Sequence, residues 1–76
     1  MPRFYLHIRD GNDFIEDLEG SDLPDIRAAR EEAEAAILEM LADRILGRPF
    51  PARPIIEVYD LGGKKVAELR PPARLP

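Results

Sequence analysis

The chain has no cysteine and no threonine, and only one serine and one histidine. Without cysteine there can be no disulfide, no thiolate metal site and no cysteine nucleophile, and the absence fits a reducing compartment. Ser21 lies well beyond His7 in the chain, so no nucleophile and base are set side by side by sequence. No apolar run approaches the ~20 residues that a membrane span needs. The opening MPRFYLHIRD lacks the long apolar core of a signal peptide. These absences lead to the expectation of a soluble, unexported, cytoplasmic chain. Gly62-Gly63-Lys64 lacks the spacing of a phosphate-binding loop and sits between two strand-like runs, where it reads as a hairpin turn.

What is present is enough for one small domain. Seventy-six residues leave no room for a second core. A chain of this size gains little net stability from burial alone, and a second subunit is one common remedy. The charged fraction of 34% and hydrophobic fraction of 45% are those of a globular domain. Charge is uneven along the chain: −5 over residues 1–25, −2 over 26–47 and +3 over 48–76. An acidic chain without a basic helix is poorly suited to the phosphate contacts on which nucleic-acid binding depends. No nucleic-acid partner is expected.

Alternation of Phe4, Leu6 and Ile8 with Tyr5, His7 and Arg9 predicts a strand over 3–9. Asp10 to Asp13 has hairpin-turn chemistry, and a second strand is expected from Phe14 to Leu18, ending at Gly20. A helix is predicted from Ile26 to Leu46, free of glycine and proline, with Asp25 as N-cap and Gly47 at its end. Ile26, Ala29, Ala33, Ile37, Met40 and Leu41 form its apolar stripe. After the proline-rich connector RPFPARP come strands at 55–60 and 65–69. The expected architecture is α+β, in the order β-β-α-β-β: a four-stranded antiparallel sheet with one long helix packed on one face. The domain spans 1–69, and residues 70–76 form an extended proline-rich tail.

The acidic run RDGNDFIEDLEGSDLPD raises the question of a cation site, since it carries seven carboxylates. A calcium loop begun at Asp10 places Asp10 and Asn12 correctly but then Phe14, Ile15 and Ser21 where ligands or glycine belong. No metal and no cofactor are expected, and the run reads as a solvated hairpin. If Gly11 and Asn12 form a two-residue loop, His7 lies across from Glu16 and Tyr5 across from Leu18. A small enzyme using His7 with Glu16 or Asp17 is the alternative chemistry this allows. Pro51-Ala52-Arg53-Pro54 matches a P-x-x-P ligand pattern but also simply stiffens a loop. The sheet face away from the helix would carry Tyr5, His7, Arg9, Phe14 and Glu16, rich in residue types common where proteins meet.

The blocks MPRFYLHIRDG, IEDLEG, LPD and AAREEA, with Asp60-Leu61-Gly62-Gly63-Lys64 near the end, resemble a family of small bacterial proteins of unknown function. Its pattern opens M-P-R-[YF]-[YF]-[FL]-H-x-R-D-G, and the resemblance covers residues 1–69. The RPFPARP connector and PPARLP tail depart from it. The resemblance implies a bacterial origin and this fold, and it brings no activity. The strand–strand–LP–helix order is also similar to antitoxin domains of the HicB type, which bind a protein partner. The expectation is a non-enzymatic domain that binds protein, either another chain or a second copy in a homodimer.

Overall fold

The computed structural model describes residues 1–72 of the chain. The elements run β1 (Arg3–Asp10), β2 (Asp13–Ile15), β3 (Ser21–Asp22), α1 (Ile26–Ile45), β4 (Pro54–Asp60) and β5 (Lys65–Leu69). They form one antiparallel sheet in the order β2-β1-β4-β5, with β3 also pairing with β1. The α+β architecture agrees with the expectation, but the sheet has five strands rather than four. The difference arises where the second strand was expected to continue to Leu18. Pairing with β1 stops at Ile15, the chain leaves the sheet over 16–20, and it returns as β3 with Arg3 opposite Asp22 and Phe4 opposite Ser21.

Each element follows from local chemistry. Gly11 adopts φ +61° in the two-residue turn that sets Arg9 opposite Phe14 and Asp10 opposite Asp13. Asp25 caps α1 by accepting from the Ala28 amide at 2.8 Å. Leu46 closes the helix and Gly47 follows at φ +73°, the left-handed geometry that ends many helices. Gly20 (φ +71°) brings the excursion back to β1 so tightly that a Cβ there would lie 2.8 Å from the Phe4 carbonyl oxygen.

The core lies between α1 and one face of the sheet. Phe4 from β1, Ile56 and Val58 from β4, and Ala67 and Leu69 from β5 are buried against Ala29, Ala33 and Ile37. The small alanines let the helix axis sit close to the sheet. Ile26, expected in this stripe, remains 45% exposed. The hairpins β1–β2 and β4–β5 lie side by side, so β1 and β4 are the inner strands and β5 forms one edge. A register shift between Val58 and Tyr59 makes Val66 the extra residue of a bulge. Beyond Leu69 come Pro71 and Pro72, and the last residues of the expected tail, 73–76, lie outside the described residues.

Candidate functional site

Alternation that buries Phe4, Ile56 and Val58 sends Tyr5, His7 and Arg9 of β1, and Glu57 and Tyr59 of β4, to the face the helix does not cover. Register aligns Tyr5 with Tyr59 and His7 with Glu57 across the two inner strands. Lys65 and Glu68 join them from β5 and Phe14 from β2. This face divides into two halves with different chemistry.

One half is ionic. Glu57 is only 7% exposed, unusual for a carboxylate on an open sheet. Arg9 donates from Nη2 to its Oε1 at 3.3 Å, and Lys65 Nζ lies 3.6 Å from its Oε2. Lys65 also donates to Glu68 Oε1 at 2.9 Å, and Arg70 donates to Glu68 Oε2 at 2.7 Å. These hydrogen bonds, from Arg70 first and Lys65 second, hold the Glu68 carboxyl down to about 2, and the Glu68 bond raises Lys65 in turn. The charges are thus laid flat along the strands and satisfy one another.

The other half is aromatic. The His7 ring sits 5.2 Å from Tyr59, 5.3 Å from Phe14 and 6.4 Å from Tyr5, stacked nearly parallel to the last. Arg9 spans both halves, its guanidinium 4.9 Å over the Phe14 ring. A shallow depression of ≈ 300 Å³ opens here, lined by Tyr5, His7, Tyr59, Glu16, Leu18 and Leu61 among others. Leu18 and Leu61, on loops at its rim, are 79% and 71% exposed.

Of the residues singled out in the sequence, Tyr5, His7, Arg9 and Phe14 come together as expected. Glu16 lines the depression but does not face His7 across a ladder, because β2 ends before it. Tyr5 likewise does not pair with Leu18. Asp17 takes Glu16's place at the imidazole, through its backbone: the Asp17 amide donates to His7 Nδ1 at 3.0 Å, leaving Nε2 as the protonated nitrogen. The Asp17 carboxylate accepts from the Leu6 amide at 3.1 Å and from the Gly20 amide at 3.0 Å. It stands in for the strand pairing that β2 abandons, with one oxygen on each amide. Glu57, Tyr59 and Leu61 were missed as members of this face. Alternation about Ile56 and Val58 places Glu57 and Tyr59 outward, but only the pairing of β4 with β1 sets them beside His7. Among the described residues no group of three or more metal-binding side chains converges, and no helix is long and apolar enough to cross a membrane.

No curated protein and no solved structure matches the chain. Residues 3–70 match the model of a family described as Domain of unknown function (DUF6894), and the chain belongs to that family.

Proposed function

We propose, from membership of a family without an assigned activity, that this domain works by binding a protein, and that the aromatic half of the open face is where it does so. The carrying observation is the gathering of Tyr5, His7, Phe14 and Tyr59 on uncovered sheet between two loops that hold Leu18 and Leu61 into solvent. Aromatic rings give large contact area at small entropic cost, and such residues dominate the energy of protein contacts. The ionic half is a poorer surface to cover. Its charges already pair with one another, and desolvating them yields little net gain. An antitoxin-like regulator that masks a partner is one particular form of this reading.

The test is affinity capture with immobilised chain from lysate of its source cells, wild type beside Tyr59→Ala and Phe14→Ser, with circular dichroism to verify folding. A stoichiometric partner held by the wild type and released by both variants supports the reading. Retention of nothing, or of the same partner by the folded variants, counts against it.

A further inference from the structure

The depression on the open face carries charge of one sign. Glu16, Asp17 and Asp60 line it, and no lysine or arginine among the described residues does. Among the described residues none of these three carboxylates has an ion-pair partner. Asp17 and Asp60 accept from backbone amides, Asp60 from that of Lys64 at 2.9 Å, and such bonds fix a carboxylate without cancelling its charge. Bases on neighbouring strands are engaged elsewhere. Lys65, in register with Tyr59, is bonded to Glu68 and paired with Glu57. Arg3 is held by Asp22 and by the Glu19 carbonyl. The acidic run of the sequence has seven carboxylates and no base from Asp10 to Asp25, and its middle lies beside these aromatic rings.

The walls complete the chemistry. Tyr5 and Tyr59 lie beside His7, whose Nδ1 accepts from the Asp17 amide, so the imidazole brings no charge of its own. An aromatic face is the negative pole of its ring and attracts a cation. The chain uses this attraction twice, with Arg9 over Phe14 at 4.9 Å and Arg44 over Phe50 at 5.6 Å, but no cation of the described residues lies over Tyr5 or Tyr59. We infer that the depression receives one arginine side chain from a basic segment of the protein partner. This rests on the protein-binding reading above and names the chemistry that the face recognises. A guanidinium is flat enough to lie on a tyrosine ring while its edge donates to carboxylates, a combination that a lysine ammonium does not offer. Leu18 and Leu61, at the rim, give cover to apolar residues beside that arginine. A neutral or acidic segment would cover Glu16 and Asp60 with nothing to offset their desolvation.

NMR titration of the isotope-labelled chain tests it. The probe is a short capped peptide with one arginine between two leucines, beside the same peptide with citrulline, which keeps the shape and loses the charge. The arginine peptide is expected to shift the amides of Tyr5, His7, Tyr59 and residues 16–18, and the citrulline peptide to bind at least about tenfold more weakly. Glu16→Gln combined with Asp60→Asn should weaken the arginine peptide by a similar factor. Both substitutions keep the side-chain shape, and asparagine can still accept from the Lys64 amide, so the turn is retained. Equal affinity for the two peptides overturns the inference. So do shifts spread over Glu31, Glu34 and Glu39 of α1 instead of gathered at the depression, or no shift at about millimolar peptide. The capture experiment fails separately. A partner released by Tyr59→Ala, yet held unchanged by the Glu16→Gln and Asp60→Asn chain, upholds protein binding and overturns arginine recognition. A lysate that yields no partner counts against protein binding, while the peptide result stands.

Discussion

The two faces of this sheet are built from alternate residues of the same strands, yet different forces hold them. On the helix side, Ile56 and Val58 are almost wholly buried within the apolar cluster. On the other side, Glu57 lies between them in sequence and is nearly as buried, but its cover is the side chains of Arg9 and Lys65. One face is sealed by a separate element, and its energy is close packing, which tolerates no missing volume. The other is covered by its own long side chains lying down, and its energy is electrostatic, divided among several partners and shared with solvent. A surface of the second kind can be rearranged when something binds.

Substitutions should separate the two. The largest effect is expected on the packed face: Ile56→Ala removes a fully buried side chain and should cost about 3 kcal/mol in urea unfolding, a large share of what so small a domain possesses. Next comes the margin between the faces. Asp17→Ala leaves the Leu6 and Gly20 amides without their acceptor and should cost about 2 kcal/mol, with faster hydrogen exchange at both amides. If Asp17→Ala proves neutral, the excursion at 16–20 is not pinned as described. On the ionic half, Arg9→Ala should cost less than about 1 kcal/mol, since Glu57 keeps Lys65 and the pair is partly solvated. A loss as large as that of Ile56→Ala would erase the distinction between the faces.

The smallest expected effect is pH-dependent. Glu68 titrates at about 2 in the folded chain against an ordinary value of 4.5, so the carboxylate favours the folded state. Its contribution is complete above 4.5 and disappears as the pH falls toward about 2. Side-chain NMR titration should find that low midpoint, and Arg70→Ala should move it back toward the ordinary value. The same low midpoint in the Arg70→Ala chain would show that the arginine bond is not its cause.

Sequence patterns carried the local part of this architecture. Period two placed β1 and separated Phe4, Leu6 and Ile8 from Tyr5, His7 and Arg9. The turn at Gly11-Asn12 fixed the register of Arg9 with Phe14, and Asp25 and Gly47 bounded the helix. What stayed hidden depended on contacts distant in the chain. That β4 lies beside β1, which gives His7 the neighbour Tyr59, has no local signature. Nor does the early end of β2, since residues 16–18 carry no breaker and the bonds that hold the departure, from Asp17 to Leu6 and to His7, are made to β1.

The edge at β5 has a consequence for how the molecule keeps to itself in a crowded cell. An outer strand offers its amides to any extended peptide that drifts alongside. Here the row is five residues long, carries Lys65 and Glu68, and is followed after Arg70 by Pro71 and Pro72, which have no hydrogen to give. An intruder that begins to zip along it soon finds its grip ending, so growth into a fibril through this border is cut short.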